Sequence, residues 1–76
     1  MMFNDNLNKY RKQKGLSQEE LAFRLGVSRQ SVSKWESGQS TPELERIIEI
    51  ADLFGISLDE LIGHEVMIML QLTVKN

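Results

Sequence analysis

The 76-residue chain contains no cysteine, so neither a disulfide framework nor a thiolate zinc site supports its fold. That absence suits a reducing cytoplasm. Long apolar runs are missing too: the longest, Val66 to Leu70, is far too short to span a bilayer. The N-terminal stretch MMFNDNLNKYRKQK lacks the basic-then-apolar order of a signal peptide. A cytoplasmic protein is expected. The chain has a single histidine, His64, and no His/Glu cluster has metal-ligand spacing. Neither a G-x-x-x-x-G-K phosphate loop nor a glycine-rich dinucleotide loop occurs. Asp59 and Glu60 fit a first-turn charge and a helix cap, not a catalytic pair. No enzyme, no cofactor and no metal are expected.

What is present is an ordinary globular composition, 41% hydrophobic and 26% charged, in a chain with room for one modest core. The net charge of −2 argues at first against a nucleic-acid partner. Its distribution argues otherwise. Residues 1–41 hold seven Lys/Arg against four Asp/Glu, whereas residues 42–76 hold two against seven. An electrostatic footprint needs positive charge only on the face that meets phosphate, so the acidic half is expected to point away from it.

The five glycines, at positions 15, 26, 38, 55 and 63, each follow a stretch of helical apolar spacing, where a left-handed residue is favoured. Start signals fill the gaps. Ser17-x-x-Glu20 and Ser57-x-x-Glu60 fit capping boxes, in which hydroxyl and carboxylate satisfy orphan amides reciprocally. Asn4 and Ser28 are candidate caps, and Thr41-Pro42 places a hydroxyl ahead of a proline at the first helical position. Helices are therefore predicted at 5–14, 18–25, 29–36, 43–54 and 58–62. Their expected core is Leu7 and Tyr10; Leu21, Ala22 and Leu25; Val32 and Trp35; and Leu44, Ile47, Ile48, Ala51 and Phe54. Leu16, Val27, Ile56, Leu58, Leu61 and Ile62 close it. The expected fold is all-α, a compact five-helix bundle.

The tail departs from this pattern. Val66, Ile68, Leu70, Leu72 and Val74 alternate with mostly polar or methionine residues, the period of a strand. A lone strand has no partner in a helical monomer. It can pair with its equivalent in a second copy, fold over the bundle, or continue as helix. The chain is thus divided into a domain over 1–63 and a tail over 64–76.

Between Ser17 and Gly38 the sequence SQEELAFRLGVSRQSVSKWESG supplies what a helix-turn-helix demands. Ala22 is small where two helices cross, Gly26 stands where the backbone leaves the first helix, and Val32 and Trp35 tie the second helix to the core. With the following TPELERIIEIADLFGISLDELI, the segment resembles the Cro/C1-type (XRE) helix-turn-helix domain of phage repressors and bacterial transcription regulators. The resemblance covers about residues 5–63. It implies a lambda-repressor-like five-helix bundle that binds operator DNA as a dimer, with helix 29–36 in the major groove.

Carried over residue by residue, the resemblance makes Arg29, Gln30 and Lys34 base-contacting, with Ser33 a further candidate. Their chemistry suits base edges, since Arg and Lys favour guanine O6 and N7, and Gln pairs with adenine N6 and N7. Gln18 matches the family's phosphate-contacting, helix-bracing glutamine. Ser28, Ser31, Ser37, Gln39 and Ser40 are short polar groups at helix ends, suited to phosphate oxygens. Arg11 is expected to pair with Glu36, as its counterpart does in relatives. Lys9, Lys12 and Lys14 are expected to add at most general attraction to DNA.

The function these residues point to is a dimeric repressor of transcription, acting on a palindromic operator. Two alternatives stay open at this point: an antitoxin whose tail occupies a partner protein, and a DNA-binding piece of a longer regulator.

Overall fold

Residues 2–63 are described by a computed structural model. They form five helices, α1 (Met2–Gln13), α2 (Gln18–Leu25), α3 (Arg29–Ser37), α4 (Leu44–Phe54) and α5 (Leu58–Ile62), and no strand occurs among the described residues. The strand expected over 65–75, and His64, lie outside them.

Local chemistry accounts for the sharpest boundaries. Ser17 and Ser57 each accept a hydrogen bond from the amide three residues on, while Glu20 and Glu60 accept from the Ser17 and Ser57 amides, at 2.8 and 2.9 Å. Both capping boxes are complete, and α2 and α5 begin where the sequence predicts. The Glu20 carboxyl is held below its ordinary pKa, chiefly by the Ser17 amide and then by its hydroxyl. All five glycines have positive φ. Gly26, Gly38 and Gly55 are left-handed caps, whereas Gly63, with ψ at 144°, is not.

Two helices start differently from expectation. α1 begins at Met2, so Asn4 lies inside it and not at its cap. The extra turn brings Phe3 into the core, 1% exposed, and burial of that ring favours the longer helix. α4 is capped by Glu43 through its backbone, with no side-chain cap bond. Thr41 therefore does not cap it, and Pro42 precedes the cap.

One buried cluster joins all five helices: Phe3, Leu7, Leu21, Ala22, Leu25, Val32, Trp35, Ile47, Ile50, Ala51, Phe54, Leu61 and Ile62. Leu16, Val27, Leu53, Ile56, Leu58 and Tyr10 pack against its edge. In α4 the inward stripe is Ile47, Ile50, Ala51 and Phe54. Leu44 and Ile48, expected inside, are 47% and 40% exposed. The run Ile47, Ile48, Ile50 satisfies two neighbouring helical stripes equally, and the stripe through Ile50 is the one that is buried. Arg46 donates to Leu25 O at 2.8 Å, tying α4 to the end of α2. At the other side, Asn6 Nδ2 donates to Leu61 O at 2.9 Å, tying α5 to α1.

Candidate nucleic-acid interface

Three residues, Gly26 to Ser28, connect α2 to α3. The amides of Gly26 and Val27 donate back to Phe23 O and Ala22 O, at 3.2 and 3.0 Å, which satisfies carbonyls left open at the end of α2. Gly26 sits at φ 70°, a conformation that costs an L-residue with a side chain. Val27 then packs on the core, and Ser28 caps α3, accepting from the Ser31 amide at 3.1 Å. The turn fixes where α3 points, and Val32 and Trp35 fix its rotation, because both are buried.

With that rotation set, α3 divides cleanly. At 3.6 residues per turn, Arg29, Gln30, Ser33, Lys34 and Ser37 fall within an arc of about 140°, opposite Val32 and Trp35. Arg29, Gln30, Lys34 and Ser37 are exposed, and Ser33 is half-buried. The four candidate base-contacting residues thus share one outward face. The candidate phosphate-contacting residues are arranged around it. Ser28 and Ser31 hold their hydroxyls 3.0 Å apart, so one of the two protons fills that bond and the other is free to donate. Ser37 Oγ donates to Lys34 O at 3.1 Å. The exposed Gln39 and Ser40 follow Gly38, and their amides donate to Lys34 O.

Behind this face lies a network that composition alone does not suggest. Arg11 Nε donates to Glu36 Oε2 at 2.6 Å and Nη2 to Oε1 at 3.1 Å. Oε1 also accepts from Asn8 Nδ2 at 2.9 Å and from Gln18 Nε2 at 3.1 Å. Arg11 Nη1 donates to Leu16 O at 2.7 Å. The Arg11 and Glu36 side chains are only 10% and 6% exposed, so both charges are largely removed from water and each is met by good hydrogen bonds. Burial pushes the Glu36 carboxyl up, but the donors Arg11, Asn8 and Gln18 outweigh it and hold the pKa below the ordinary value.

The same network orients Gln18. A carboxylate only accepts, so the Gln18 amide must turn its Nε2 to Glu36. Its Oε1 then faces outward and accepts from Arg29 Nη1 at 3.4 Å. Gln18 therefore bridges the buried pair and the first residue of the exposed face, with one Nε2 hydrogen left to donate.

A helix-turn-helix family model matches residues 7–61 of this chain. The chain belongs to the Cro/C1-type (XRE) helix-turn-helix family. Among curated relatives, it is 44% identical over 70 residues to the HTH-type transcriptional activator BcrR of Enterococcus faecalis. It is 38% identical over 64 residues to the phage CTXphi transcriptional repressor RstR of Vibrio cholerae. These alignments cover 92% and 84% of this chain but only 34% and 57% of the relatives. Among solved structures, the LexA SOS-response repressor of Eubacterium rectale superposes with a TM-score of 0.75 at 34% identity, covering 80% of this chain and 65% of that one.

Within this helix-turn-helix, sequence reasoning missed Asn4 and Asn8 of α1. Asn4 Nδ2 donates to Glu36 O at 3.5 Å, and Asn8 completes the Glu36 carboxylate shell. The signal was available: Asn4, Asn8 and Arg11 recur at helical spacing beside the Leu7 stripe. Among the described residues no group of three His, Cys, Asp or Glu could hold a metal ion, and no helix is long and apolar enough to cross a membrane.

Proposed function

We propose that this chain is a sequence-specific DNA-binding transcription regulator that acts as a repressor, binding a palindromic operator as a homodimer with α3 in the major groove. The observation that carries the reading is the outward face of α3, where Arg29, Gln30 and Lys34 stand opposite buried Val32 and Trp35. Such a face matches the base edges displayed there: Arg29 and Lys34 suit guanine, and Gln30 suits adenine. Gln18, Ser28, Ser31, Ser37, Gln39 and Ser40 flank it as phosphate-contacting groups that set register without reading sequence. Residues 1–63 form the DNA-reading unit in this reading. Residues 64–76 are assigned to pairing the two copies on their sequence alternation alone. RstR and the LexA protein are named repressors and BcrR an activator, so the sign of regulation has its own test, a reporter placed behind the selected site.

Selection of bound duplexes from a random pool tests the whole reading. The expected product is an inverted repeat with half-site centres about 34 Å apart, or a multiple of that. Arg29→Ala and Lys34→Ala should each cost about 1–3 kcal/mol and relax preference at one base position. Should both variants keep full affinity and the same preference, α3 does not read DNA through this face.

A further inference from the structure

α1 supplies a second strip to the proposed interface. Asn4, Asn8 and Arg11 all donate to Glu36, which identifies the side of α1 that lies against α3. Phe3, Leu7 and Tyr10 identify its core side. Lys12 lies one turn beyond Asn8, about 40° further around the helix and away from the core. On α3, Arg29 and Ser33 likewise follow Glu36 in the direction away from Val32 and Trp35. Lys12 and the reading face of α3 thus share the outer surface of the α1/α3 pair. Along the axis, Asn4 meets the end of α3 and Arg11 meets Leu16, just before Gln18. Arg11 also donates to Glu36 in the last turn of α3, so Lys12 directly follows the residue that links α1 both to α3 and to the segment leading into α2.

The other charges of α1 are placed differently. Lys9 holds its ammonium over the Tyr10 ring, 5.2 Å from the centroid. Tyr10 in turn stacks near Phe54, at 6.4 Å, which draws Lys9 to the flank away from α3. Asp5 is exposed on the outer side as well, but seven residues from Lys12, or ~10 Å along the axis. That is about one Debye length at 0.1 M salt. Glu36 is neutralised by Arg11. Among the described residues no ion pair involves Lys12, and it is exposed.

We infer that Lys12 extends the DNA interface onto α1, contacting a backbone phosphate on the flank of the groove that α3 enters. The inference rests on the proposed DNA-binding function and adds a residue to it. Lys9, three positions away with the same charge, takes no part.

The test uses the full chain and the duplex that the wild-type chain selects from a random pool. Affinity is measured for wild type, Lys12→Ala, Lys9→Ala and Lys34→Ala between about 50 and 200 mM salt, with circular dichroism confirming the fold of each. Lys12→Ala, which removes one phosphate contact from each protomer of the dimer, should reduce the salt slope by about two. Its deficit relative to wild type should then shrink about tenfold across that range. Base preference in a repeated selection should be unchanged, and Lys9→Ala should match wild type. If Lys12→Ala behaves as Lys9→Ala does while Lys34→Ala loses affinity, the DNA-binding reading stands and the Lys12 contact is wrong. A wild-type chain that selects no duplex overturns both.

Discussion

Glu36 closes the last turn of α3, yet side chains from two other helices hold its carboxylate: Asn8 and Arg11 of α1 and Gln18 of α2. Removing it leaves the Arg11 guanidinium largely buried without its counter-charge, so Glu36→Ala should cost on the order of 3 kcal/mol in a urea melt. Its pH dependence has a definite sign. The carboxyl pKa is depressed in the folded state, so the stabilisation is complete above the ordinary carboxylate value of about 4.3 and is lost as pH falls through the depressed one. Urea midpoints followed down to about pH 2 should therefore fall more steeply in the acid range for wild type than for Glu36→Gln. A wild type and variant with parallel acid limbs would show that the carboxylate is not selectively stabilised. The consequence reaches the proposed interface, because Gln18 owes its orientation to the same oxygen and passes it to Arg29.

At the scale of elements, the helices depend on their ends to different degrees. α5 has only five residues, so its cap contributes a large share of its local order; Ser57→Ala should cost about 1 kcal/mol. Gly26→Ala tests the turn. A Cβ there meets no atom within 4 Å, so the cost is the backbone conformation alone, roughly 1–2 kcal/mol by thermal melt. A neutral outcome would mean that the turn relaxes out of its left-handed form. These ends also explain how much the sequence made legible. α2, α3 and α5 carry a serine before and a glycine after, and their predicted spans agree with the structure to within a residue. The span of α4, predicted over 43–54 and found over Leu44–Phe54, agrees as closely, but packing sets its rotation, and Ile50 displaces Leu44 and Ile48 from the expected stripe; α1 lacks punctuation at its start, and there Phe3 draws the helix back a turn. The face of α3 was legible because Val32 and Trp35 fix its rotation locally. The Asn8 bond to Glu36 was legible only in part: helical spacing with Asn4 and Arg11 marks its face of α1, but its partner lies 28 residues away.

Across the whole molecule, charge is segregated along the chain. The segment bearing α1 to α3 is net positive, and the segment from α4 onward is net negative. A net charge of −2 therefore coexists with a net positive α1–α3 segment that carries Lys12, Arg29 and Lys34. Operator binding should fall by orders of magnitude between about 50 and 200 mM salt, as expected for several phosphate contacts. A salt-independent affinity would contradict an electrostatic footprint. The bond from Asn6 to the Leu61 carbonyl spans 55 positions of the chain, and it joins the first helix to the last. On a ribosome, α1 to α3 are made before α5, so α1 has only part of its surface to close upon until Leu61 leaves the exit tunnel. The domain should accordingly become protease-resistant only at the end of its own synthesis, as one late event and not helix by helix.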